Sequence, residues 1–132
     1  MNTNGNNMNA TLEKVDFQVR IELNDCKEAI FTYTRNGKAV DGGGMVRTET
    51  AGTYTLEPAT VKQGFFFTGA TITDKVGTCA QDFSHTLSDH RQAITITDTA
   101  ENPGTVCLTF NVECNGKAYE SADPQIENKE EN

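Results

Sequence analysis

A chain of 132 residues has the length of one domain and is too short for two comfortable ones. Nineteen acidic residues against eleven basic ones leave a net charge of −8, which disfavours a nucleic-acid backbone or an anionic membrane surface as partner. Nineteen threonines against five leucines favour pleated sheet over a helical bundle, because β-branched side chains suit a half-wet strand surface.

Residues 1–10 are rich in Asn and Gly, can bury almost nothing, and are expected to be disordered. They carry no basic start and no apolar run, so no ordinary signal peptide is expected. No stretch of the sequence has the length of apolar residues that spans a bilayer. The default expectation is therefore a cytoplasmic protein.

The clearest pattern follows. Val15, Phe17, Val19, Ile21 and Leu23 alternate with Asp16, Gln18, Arg20 and Glu22. A period of two over nine residues is a strand with one dry face and one wet face. After a turn at Asn24-Asp25, Ala29–Thr34 is a second strand with Phe31 and Tyr33 on one face. Asn36-Gly37 is the preferred centre of a type I′ hairpin, so Phe31–Thr34 is predicted to pair back onto Lys38–Asp41.

Gly42-Gly43-Gly44 reads as a flexible loop or bulge. It is not a phosphate cradle, since no Lys-Ser/Thr follows and no helix opens from it. Thr53–Glu57, Phe65–Thr73, Asp82–Leu87 and Ala93–Thr97 are the next predicted strands, with a bulge expected at Gly69. Asn102-Pro103-Gly104 is a turn. In Thr105–Cys114, the residues Val106, Leu108, Phe110, Val112 and Cys114 alternate with polar ones. Asn115-Gly116 then offers a second type I′ hairpin with Lys117–Ser121 returning. Pro124, which cannot donate to a ladder, is expected to end regular pairing. The segment 122–132 is expected to be a solvated acidic tail: residues 120–132 hold five acids and one base.

Seven to nine strands at intervals of roughly ten residues predict an all-β antiparallel sandwich, immunoglobulin-like in general form. The domain would span residues 11–121, with a core where the Val15/Phe17/Val19/Ile21 and Val106/Leu108/Phe110/Val112 faces meet. A barrel is the alternative.

The two ends carry a resemblance. Thr11-Leu12-Glu13-Lys14-Val15-Asp16-Phe17, Leu23-Asn24-Asp25 and Ala29-Ile30-Phe31-Thr32-Tyr33-Thr34 resemble the start of the bacterial DP-EP family. Ser121-Ala122-Asp123-Pro124-Gln125-Ile126-Glu127-Asn128 resembles its Asp-Pro-containing end, with Gln125-Ile126 standing where a Glu is more usual. The resemblance implies a small bacterial β protein and brings no catalytic residues with it.

Several constellations have residue types that could carry chemistry. Cys79, His85 and His90 lie within twelve residues and include zinc-ligand types, but no fourth ligand or paired spacing accompanies them. Parity places His85 on the Phe83/Leu87 face, as a half-buried structural residue. Asp98, Glu101 and Asn102 precede Pro103-Gly104, and oxygen ligands in a tight loop can hold calcium, as could Asp82 with Asp89; turn acids more often bond their own backbone. No nucleophile elbow occurs, and neighbours such as Ser84 and His85 on a strand point to opposite faces, so no enzyme is expected. No cofactor is implied.

Cys26, Cys79, Cys107 and Cys114 contain no Cys-x-x-Cys spacing, and without a secretory signal reduced thiols are expected over disulfides. Phe66 points away from the face of Phe65 and Phe67, which makes it a candidate contact residue for a partner protein. The leading functional expectation is a non-enzymatic interaction or assembly module. The alternative is a domain that binds carbohydrate or calcium, with Asp98 and Glu101 as its candidate residues.

Overall fold

The computed structural model describes residues 12–130; the segment expected to be disordered, 1–10, lies outside the described residues. Two β-sheets pack face to face. The first has six strands in the order β3-β2-β1-β5-β8-β7, built from β1 (Glu13–Leu23), β2 (Ala29–Arg35), β3 (Lys38–Val40), β5 (Thr50–Leu56), β7 (Phe83–Leu87) and β8 (Ala93–Asp98). The second comprises β4 (Gly44–Val46), β6 (Phe66–Gly77), β9 (Gly104–Cys114), β10 (Lys117–Glu120) and β11 (Gln125–Asn128). In it β9 is central: β6 pairs with it, as do β10 and β11, and β4 lies beyond β11. The fold is an all-β sandwich.

The alternation in β1 and β9 decides the core. Phe17, Val19 and Ile21 of β1 meet Val106, Leu108, Phe110, Val112 and Cys114 of β9, all buried in one cluster. Val15 is only half-buried and Leu23 is exposed. Both Asn-Gly pairs lie at hairpin tips with positive φ at each residue: 53° and 80° at Asn36-Gly37, and again at Asn115-Gly116. They join β2 to β3 and β9 to β10 in the expected antiparallel registers. The register shift between Phe67 and Gly69 is the expected bulge, and a second falls between Asp74 and Val76.

Several features differ from the expectation. The sheets are mixed, because β1 pairs parallel with β5 and β11 pairs parallel with β4. Parallel pairing joins strands that are distant in sequence, so no hairpin signal announces it. Short edge pieces raise the number of strands among the described residues to eleven. A short helix, Pro58–Lys62, follows β5; its Thr60 is buried, and Thr60 Oγ1 accepts a hydrogen bond from Ile21 N–H at 3.2 Å.

A further difference concerns the acidic end. Regular pairing does not stop at Pro124, and the solvated-tail expectation is corrected over Gln125–Asn128, which form β11 between β9 and β4. Proline lacks a donor but keeps its carbonyl, which accepts from Leu108 N–H at 2.8 Å. The strand begins one residue later, where every N–H is available. Ile126 and Asn128 turn inward while Gln125 and Glu127 face out, so the acids of this segment stay wet while alternate positions are buried.

Gly42 and Gly43 of the triglycine are packed rather than free, while Gly44 is exposed. Gly42 is buried under Tyr33, and a Cβ on Gly43 would lie 2.0 Å from the Gln125 carbonyl oxygen. Only glycine allows the chain entering β4 to approach β11 so closely.

Candidate binding site

Where the edge of the second sheet passes over the first, the two sheets leave space between them. The gap is a cavity of about 270 Å³. Its floor on the first sheet is the inward face of β1, β5 and β8: Val15 and Phe17, Gly52 and Tyr54, Ile96 and Asp98. Its roof is β4 and β11, with Val46 and Ile126. The exposed residues Glu13, Arg35 and Met45 mark its solvent side.

The local sequence explains the gap. Gly52 occupies an inward position of β5, between Val15 and Ile96 in register, and carries no side chain there. On the other side β4 has three residues beginning at Gly44, too short to cover the floor. Phe17 and Tyr54 stack at 4.7 Å between ring centroids, a flat apolar wall. The Tyr54 hydroxyl is not free to meet a ligand, since it donates to the Gly42 carbonyl.

Beside the cavity lies a buried polar cluster that spans the sheets. Asp98 continues the inward series of Ile94 and Ile96 and is 3% exposed. Its Oδ1 accepts from Ala100 N–H at 2.9 Å and from Asn128 Nδ2 at 3.0 Å. Asn128 Nδ2 also donates to Asp82 Oδ2 at 3.2 Å. Asp82 accepts two further bonds from Asn102, one from its backbone N–H at 2.8 Å and one from its side chain at 2.6 Å. Burial pushes the Asp98 carboxyl above the ordinary carboxylate range, and the neighbouring Asp82 charge pushes the same way, against the pull of the Ala100 and Asn128 donors.

Of the residues singled out from sequence, Asp98 alone stands at the cavity. Glu101 is exposed in the loop after β8, while Asn102 turns in to Asp82. Phe66 is half-buried at the start of β6, in register with Glu113 of β9, and is not among the residues that line the cavity. Cys79, His85 and His90 are not brought together. Cys79 is fully buried in the 3₁₀ turn Cys79–Asp82, and His90 is exposed between β7 and β8. His85 is exposed too, correcting its half-buried expectation, because β7 is an edge strand of the first sheet. Asp89 is exposed and apart from buried Asp82 in the same sense. No group of three or more His, Cys, Asp or Glu side chains among the described residues is arranged to hold a metal ion. All four cysteines are free thiols.

Sequence reasoning missed Asn128, Asp82's role and the cavity itself. Asp98 could have been weighted more heavily, since an acid in phase with two isoleucines is destined for the interior. Asn128 carries no local signal, because the strand that buries it pairs with segments distant in sequence.

Fold and site together define a small two-sheet β-sandwich with a cavity between its sheets and a polar cluster sealing one end of the core. The chain belongs to the DP-EP family, whose model matches residues 13–130, so the likeness seen at the two ends continues through the middle. No curated protein matches it. No helix among the described residues is long and apolar enough to cross a membrane.

Proposed function

We propose that the chain is a non-enzymatic binding protein and that the cavity between its sheets takes a small organic molecule. The supporting observation is the cavity's construction. Protein interiors are ordinarily close-packed, and space beside a core forfeits contacts. Here a glycine stands at an inward strand position beneath a stacked aromatic pair, where any other residue common in strands would fill the gap. An apolar body would lie on Phe17, Tyr54, Ile96 and Ile126, and a polar end would reach Glu13 or Arg35 at the mouth. Concave, mostly apolar sites with few polar groups are the usual form of small-molecule sites.

The test is ligand-observed NMR with a library of small amphiphilic fragments, run on the wild type and on Gly52→Val. Added methyl groups would occupy the floor while suiting a strand. Binding to the wild type that is lost in a folded Gly52→Val protein supports the proposal. Failure of every fragment to bind at millimolar concentration ends it.

A second reading, an interaction module of bacterial origin acting in the cytoplasm, is favoured by the long edge strand β6. Its outer half, Thr71–Gly77, is largely exposed, with Val76 61% exposed at the tip. Exposed strand edges recruit partner chains. Light scattering over a wide concentration range tests it; a strict monomer that captures no protein would count against it.

A further inference from the structure

Asp98 and Asn128 each keep one side-chain oxygen that is sealed from solvent and has no hydrogen-bond partner: Oδ2 of Asp98 and Oδ1 of Asn128. They are the two such side-chain atoms among the described residues, and they belong to the same pair of side chains. That pair already shares one bond across the sheets, from Asn128 Nδ2 to Asp98 Oδ1. A carboxylate oxygen cannot donate, nor can an amide oxygen. Two orphaned acceptors on bonded partners would be a costly defect, because buried polar groups are otherwise paired. A single proton cures both.

We propose that Asp98 is a neutral carboxylic acid in the folded protein, its Oδ2–H donating to Asn128 Oδ1, and that this proton latches β11 onto the first sheet. With the existing bond it closes a two-bond ring between acid and amide. Ionisation releases the proton to solvent, leaves two acceptors opposed, and weakens the hold on the C-terminal strand. The latch goes beyond the cavity reading and does not depend on it.

The surrounding charges agree. Asp82, in the 3₁₀ turn, draws on the same Asn128 amide and disfavours a second negative charge beside it. From the same turn comes the buried Cys79 thiol, which is pushed up by burial, and Asp74 of β6 lies near enough to add to that push. Across the cavity stand Glu13 of β1 and Arg35 of β2. Around Asn128 the outer groove carries Arg47, Glu127, Lys129 and Glu130. Their two cationic residues and Arg35 are exposed, and the one ion pair among the described residues joins Arg20 to Glu57. No cation is therefore paired with Asp98.

The sign follows from linkage. A carboxyl whose folded value is raised contributes its full stability below the ordinary unfolded value, about pH 4, and that contribution is lost as pH rises through the folded value. Other carboxylates add their own pH dependence, so the informative quantity is the difference between the wild type and Asp98→Asn. That variant can keep both bonds as an amide–amide pair but has no proton to lose. We expect the two proteins to have similar unfolding equilibria near pH 4. Between about pH 4 and the folded value the variant gains on the wild type by up to tenfold per pH unit, the limit for one proton, and above the folded value the difference levels off. A difference that is flat between pH 4 and 9, or a variant weaker throughout, overturns the latch. Should Asp98→Asn fail to fold, the carboxyl ¹³C shift of Asp98 in the wild type decides. A protonated acid persisting well above pH 4 supports the proposal, and titration near the ordinary value ends it.

Discussion

The hydroxyl of Tyr54, in the middle of β5, donates to the carbonyl of Gly42 in the triglycine segment. One bond thus ties the floor of the cavity to the chain that forms its roof. Burial pushes the Tyr54 phenol far above its ordinary range, so this donor keeps its proton at any ordinary pH. Tyr54→Phe removes the bond, keeps the ring stack with Phe17, and leaves the Gly42 carbonyl buried. A loss of about 1–2 kcal/mol is expected in urea unfolding, with no loss of strand signal in circular dichroism.

Phe110 is fully buried and touches the rings of Tyr33, Tyr54 and Phe67 at 4.6 to 6.1 Å. Phe110→Ala opens a cavity among residues from both sheets and should cost about 3–5 kcal/mol. At this chain length that is a fall of roughly 10 °C or more in the melting midpoint. A midpoint unchanged within error would contradict its placement at the centre of the sandwich.

Gly43 tests the close approach of β4 and β11. A methyl group there meets the Gln125 carbonyl oxygen and carbon and the Pro124 side chain, none of which is the free end of a flexible side chain. Gly43→Ala should destabilise by about 1–3 kcal/mol through overpacking. Amide exchange should quicken first in Ile126–Asn128, the residues paired with β4.

The thiols should separate by access. Cys26 is exposed, Cys107 is half-buried, and Cys79 and Cys114 are buried. Burial, with the nearby Asp74 and Asp82 carboxylates adding to it, holds the Cys79 thiol protonated, which removes the reactive thiolate. Limited iodoacetamide at neutral pH should therefore label Cys26 first and leave Cys79 unmodified until the protein is unfolded. Peptide mass mapping reads the order; early labelling of Cys79 would refute its burial.

Much of the sandwich was already present in local patterns. Alternation in β1 and β9 is a property of each segment by itself, since side chains two residues apart share a face whatever lies opposite. Asn36-Gly37 and Asn115-Gly116 specify their turns through backbone conformations that few other residues adopt. The tertiary structure decided whatever depends on segments far apart in the chain. The parallel pairing of β11 with β4 joins residues some eighty positions apart, and no local pattern encodes such a partner. The same pairing brings Asn128 to Asp98 and sets a short β4 over Gly52, so both the polar cluster and the cavity exist only once the sheets have closed.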